Sequence, residues 1–185
     1  MFLYSYKKKL NLDYRVALDT MKKNDQFVRS VIPINLEELQ KVDENNALVI
    51  KQLISKYGYP SSKKIGRRDF NENNTNATLF FLHATTEARD NYILNLMWES
   101  VKKGECEPSD FAVVYDKNLH VAGGKALYGE LRIPDKRLDE QVINPNKIDS
   151  IRKSVGLENL EYKRWKIKKL IGIDINNWKN KKLLF

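Results

Sequence analysis

His83, Asp25 and Arg29 are the residues of this chain best suited to moving a proton and holding an anion. The chain has two histidines, His83 and His120. Imidazole titrates near neutral pH and works as a general acid or base when a carboxylate orients it. Asp25 or Asp116 would be that carboxylate, Arg29 a clamp for an anionic group, and Tyr128 a hydrogen-bond donor. Gln26 and Glu130 extend the same polar set. Asp25 and Arg29 are four residues apart, so on a helix they share a face and form an ion pair. His83 has two readings. The apolar residues Ala77, Leu79, Phe80, Phe81 and Leu82 precede it, and Tyr92, Ile93, Leu94, Leu96, Met97 and Trp98 follow it. An imidazole between two such runs either satisfies its nitrogens on core backbone or stands at a site.

No Walker loop, HExxH, Gly-x-Ser-x-Gly or cysteine–histidine metal spacing occurs. No metal and no cofactor is expected. Cys106 is the only cysteine, which excludes an internal disulfide and a cysteine-based zinc site. Glu105 and Glu107 flank it and oppose thiolate formation, so it reads as an inert loop residue. His120 has no partner at a metal-ligand spacing.

The elements that must position these residues read as mainly helical. The pattern predicts a helix over Leu12 to Arg29, ended by Pro33. A second begins at Asn35 as N-cap and runs to Tyr57, with Gly58 terminating it. A helix pair spans Asn76 to Gly104, with a break at Thr85–Thr86 and His83 beside the break. A short helix over Ser109 to Tyr115 and a turn at Asp116-Lys117-Asn118 follow. Leu119 to Ala122 and Ala126 to Leu131, around Gly123-Gly124, read as a small β-hairpin. Asn144-Pro145 then starts a helix capped by Gly156, and Glu158 to Ile171 is helical and strongly basic. The expected fold is mainly α (α+β), a single helical domain over 1–185 with a hairpin near 119–131.

Formal net charge is +9, from 33 basic and 24 acidic residues among 185. Lys7, Lys8 and Lys9 near the start and the lysines from 163 onward supply much of the excess. Such a balance favours a polyanion or an acidic protein as partner, and it also keeps a protein in solution. The apolar runs are too short for a transmembrane helix. The start, MFLYSYKKKL, has its apolar residues before its lysines, the reverse of a signal peptide. A cytoplasmic location is expected, and the single cysteine is compatible with a reducing compartment.

The order of short motifs resembles an uncharacterised bacterial family, domain of unknown function 6624. The motifs are Asp25-Gln26-x-x-Arg29, Tyr57-Gly58-Tyr59-Pro60 with Gly66 downstream, and His83-Ala84. After these come Asp116-Lys117, Gly124 with Tyr128-Gly129, and Arg152-x-x-x-Gly156-Leu157. The resemblance covers a core of about 21–162 and leaves a basic C-terminal extension of about 163–185. It implies a mainly helical domain whose polar motifs converge, and it brings no established activity. By position it nominates Asp25, Gln26, Arg29, His83, Asp116 and Tyr128. This chain has Leu82 and Lys117 where the family tends to have glutamine and arginine. It also has Lys125-Ala126-Leu127-Tyr128-Gly129-Glu130 where the family tends to have a Gln-x-Tyr-Gly-Thr-Gln-like stretch.

Two functional readings follow. The first is a metal-independent hydrolase or transferase with His83, Asp25, Arg29, Asp116 and Tyr128 in the reaction, and Gln26, Lys125 and Glu130 on the substrate. The second is a binding or immunity-type module whose basic C-terminal helix engages an acidic protein or nucleic acid.

Overall fold

The computed structural model describes residues 10–66, 77–84, 89–131 and 142–171. The lysines at 7–9, the arginines after Gly66, the break at Thr85–Thr86, residues 132–141 and the tail beyond 171 lie outside the described residues. The chain divides into two compact units, Met1–Glu107 and Pro108–Phe185.

In the first unit, helix α1 runs over Leu12–Ser30. The Asn11 side chain accepts a hydrogen bond from the Tyr14 N–H at 2.9 Å, occupying one donor that the first turn cannot satisfy. Tyr14, Leu18, Met21, Asp25 and Val28 are its buried residues. Their spacing of four, three, four and three is the stripe of one helix face. One member of that stripe is a carboxylate.

Helix α2 spans Leu36–Tyr57, and Asn35 caps it by accepting from the N–H groups of Glu37 and Glu38. It ends where expected, at Gly58, whose φ of 74° suits a residue without Cβ. Asn46, Ala47, Ile50 and Ile54 form its buried face, and α2 packs against α1. A single helical turn, α3, occupies Ser62–Ile65. Helix α4, Thr78–His83, packs against α2 through a short segment that buries Phe80 and Phe81. Helix α5, Asn91–Lys102, is capped by Asp90, which accepts from the Ile93 N–H at 3.0 Å. The expected helix pair therefore forms, with His83 as the last residue of its first member.

The second unit corrects the expected hairpin. Helix α6 runs unbroken over Pro108–Val121, through the residues read as a turn and into those read as the first strand. His120 accordingly lies on a helix. No strand occurs among the described residues; the sole extended pairing there is an isolated parallel bridge between Ala126 and Val142. The physical reason is where the backbone donors of 127–131 go. Four of them point at the Asp116 carboxylate on α6 rather than at a neighbouring strand.

A 3₁₀ turn at Pro145–Lys147 leads into helix α7, Ile148–Ser154, and helix α8 follows over Leu160–Ile171. Ala126, Val142, Ile148 and Leu160 form the buried apolar cluster of this unit.

Candidate functional site

The first unit assembles a polar cluster on α1, α2 and α4. Asp25 comes from the buried stripe of α1 and is fully buried. An isolated carboxylate there would be strongly destabilising, so it must be paired and hydrogen-bonded. Three side chains do this. His83 Nδ1 lies 2.8 Å from Asp25 Oδ1, and Arg29 donates to the same oxygen from Nε and Nη2 at 3.3 and 3.2 Å. Gln26 Nε2 donates to Asp25 Oδ2 at 2.6 Å. Arg29 Nη2 also lies 2.5 Å from Oδ1 of Asp43 on α2. One guanidinium thus bridges carboxylates from two helices.

Burial pushes the Asp25 carboxyl up, but the hydrogen bonds from His83, Arg29 and Gln26 together outweigh it, and its pKa lies below the ordinary carboxylate value. Asp25 is therefore ionised at neutral pH and accepts the proton of His83 Nδ1. That assignment of the proton leaves Nε2 as the basic nitrogen. The His83 side chain keeps 27% of its surface exposed while Asp25 keeps none. Arg89, itself buried, donates from Nη1 to the carbonyls of Phe81 (3.0 Å) and Ala84, so the backbone on both sides of His83 is tied down.

Asp25, Asp43 and His83 each offer one donor atom, and these atoms lie within 4.8 Å of one another, a spacing that could hold a metal ion. Here the cation between the two carboxylates is the Arg29 guanidinium.

The second unit contains a separate polar cluster. Asp116, fully buried on α6, accepts the backbone N–H groups of Leu127 (2.7 Å) and Tyr128 (2.9 Å) at Oδ1, and of Glu130 (2.7 Å) and Leu131 (3.4 Å) at Oδ2. Burial pushes its carboxyl above the ordinary value, with the four N–H groups opposing that shift. Gly129 within this loop has a φ of 67°, and a Cβ there would stand 3.3 Å from Val142 Cγ1. The Tyr128 ring packs against Phe111 and Tyr115, with centroids 5.9 and 5.5 Å away. Its phenol is pushed up to about 12 by burial and by the neighbouring Tyr115 and Asp116, so it stays protonated at neutral pH.

Arg152 on α7, also fully buried, closes the cluster. Its Nη1 donates to the Tyr128 carbonyl at 2.6 Å and to Glu130 Oε1 at 2.9 Å, and its Nε to the Glu158 carbonyl at 2.7 Å. Lys163 pairs with the other Glu130 oxygen. Lys125 is exposed.

Asp25, Gln26, Arg29 and His83 are thus brought together in one cluster, and Asp116, Tyr128 and Glu130 in another. Asp43, Arg89 and Arg152 are the participants that sequence reasoning did not single out as site residues. Asp43 stands among other charges on α2 without a distinguishing spacing. Arg89 belongs to none of the ordered motifs, whereas Arg152 opens the last of them, and that position was the available signal.

A model of the family described as a family of unknown function (DUF6624) matches residues 18–176. The chain belongs to this family. The match covers both polar clusters and extends past the 21–162 core. No curated protein and no solved structure shows a significant match.

Proposed function

We propose that this DUF6624 member is a hydrolase or transferase in which His83 is the general acid/base and Asp25 its orienting carboxylate. One observation carries the reading. The His83 ring, partly exposed, has its Nδ1 2.8 Å from the buried carboxylate of Asp25. A histidine kept for packing alone would bond to backbone, at no cost of burying a charge. An imidazole held through Nδ1 by an ionised carboxylate presents Nε2 in one tautomer and orientation and stabilises the imidazolium formed when Nε2 takes a proton. Arg29 bridges the carboxylates of Asp25 and Asp43 and offsets one of their two charges, which fixes Asp25 against the imidazole. Gln26 holds the second oxygen of Asp25. In the second unit, the Asp116 carboxylate holds the loop that carries Tyr128.

The test is a panel of chromogenic esters, phosphoesters and glycosides offered to the full chain and to His83→Gln. A general acid/base contributes about 10²–10⁴-fold. The expected result is an activity that His83→Gln lowers by at least about a hundredfold while circular dichroism shows the chain still folded at the assay temperature. An activity that His83→Gln leaves within about twofold overturns the proposal.

A second reading is a binding role for the basic helix α8. The exposed pair Tyr162 and Trp165 on that helix favours it.

A further inference from the structure

Helix α8 has the sequence LEYKRWKIKKLI, five cations and one carboxylate. Lys163 and Lys166 are committed to Glu130 and Glu158. The exposed residues of the helix are Glu161, Tyr162, Trp165, Lys168, Lys169 and Leu170. Tyr162, Trp165 and Lys169 follow one another at three and four residues, as do Glu161, Trp165 and Lys168, so the rings and the lysines share a face. Tyr162 is 51% and Trp165 53% exposed. Their rings are stacked, with centroids 5.6 Å apart and planes 17° from parallel. The Lys166 ammonium lies 5.3 Å from the centroid of the Tyr162 ring.

An exposed tryptophan with no core to enter leaves a large apolar surface in water. Here the two rings cover part of each other, and about half of each residue remains exposed beside lysines. We infer that this face of α8 binds single-stranded nucleic acid, with Tyr162 and Trp165 stacking on unpaired bases and Lys168 and Lys169 contacting the phosphates. The inference rests on the second reading above and is independent of the His83–Asp25 dyad.

Three considerations select that ligand. Bases stack on aromatic side chains irrespective of their sequence, whereas duplex bases are already stacked and offer the rings nothing. An acidic protein would satisfy the lysines but gives no reason for two stacked, exposed rings between them. A helix lying in a membrane surface separates its apolar face from its charged one. On α8, Glu161, Lys168 and Lys169 stand among the aromatic residues instead.

The experiment uses the full chain and fluorescein-labelled twelve-residue oligothymidylate, read by anisotropy. Competitors are a duplex of equal length, poly-glutamate and phosphatidylserine vesicles. The single strand is expected to bind best. Trp165→Ala and Tyr162→Ala should each weaken it by roughly 5- to 150-fold. Lys168→Gln and Lys169→Gln should each reduce the slope of log affinity against log salt by about 0.7. All four positions are exposed, and an unchanged melting temperature checks each variant's fold.

Absent binding, or binding that Trp165→Ala leaves unchanged, overturns the inference. So does duplex binding as tight as single-strand binding, which would make the contact electrostatic alone. Preference for poly-glutamate or for the vesicles overturns it in favour of an acidic protein or a membrane surface. Because the α8 face is untouched by it, His83→Gln should bind the oligonucleotide like the parent. Loss of binding here therefore leaves the proposal for His83 standing, and the reverse holds equally.

Discussion

His83 Nδ1 lies 2.8 Å from Oδ1 of Asp25, and the carboxylate is fully enclosed while the imidazole still reaches water. The two side chains are 58 residues apart and come from helices α1 and α4. The same Asp25 oxygen accepts from Arg29, so the dyad is part of a network in which one guanidinium is shared by two carboxylates. Removing one partner should cost more than the net worth of a single hydrogen bond.

The depressed pKa of Asp25 makes a prediction about acid stability. Its folded value lies below its unfolded one. Its contribution is therefore present above the unfolded value of about 4 and is lost as pH falls through the folded value. Urea unfolding of the parent and of Asp25→Asn from pH 7 to pH 3 should show the variant less stable by about 1–3 kcal/mol at pH 7. The two should converge as the pH falls. A difference that does not shrink on acidification would remove Asp25 as the source.

Asp116 behaves in the opposite sense. Burial raises its folded pKa, so ionising it disfavours the folded state as pH rises from the unfolded value through the folded one. Its structural worth is larger than that penalty, because four backbone donors converge on it. Asp116→Ala should destabilise the chain by about 3 kcal/mol or more. Asp116→Asn, which keeps one acceptor oxygen, should cost less. Denaturant midpoints order the three proteins; equal midpoints for the parent and Asp116→Ala would show that the loop finds other acceptors.

Arg152 provides a check that is independent of pH in the working range. Alanine in its place leaves the Glu130 carboxylate, 5% exposed, with Lys163 as its remaining cation. Breaking one side of a buried pair costs about 3–5 kcal/mol. Lysine should recover only part of this, since an ammonium cannot span the Tyr128 carbonyl, Glu130 and the Glu158 carbonyl as a planar fork does. Thermal melts of Arg152→Ala and Arg152→Lys measure it, and a lysine variant as stable as the parent would show the fork to be dispensable.

Much of the helical framework is legible in the residues themselves. Asn35 and Gly58 bound α2 because capping is a local matter, decided by side chains within a few positions of the backbone groups they satisfy. Leu18, Met21 and Val28 mark the inner face of α1 for the same reason of short range. The pairing of Asp25 with Arg29 follows from helix geometry, and the order of motifs identifies the family and nominates His83.

Tertiary structure alone decided the rest. Gly123-Gly124 between two apolar stretches satisfies the local rules for a hairpin, but Asp116 takes the backbone donors that a ladder would need, and α6 continues through the first of those stretches. The choice between Asp25 and Asp116 as partner of His83 was open along the chain, and α1 supplied Asp25. Asp43 joined through the packing of α2 on α1, which no spacing records. Buried arginines are the sharpest case. Arg89 and Arg152 look like solvated charges in one dimension, because their role is to satisfy carbonyls and carboxylates that become neighbours only after the chain has folded.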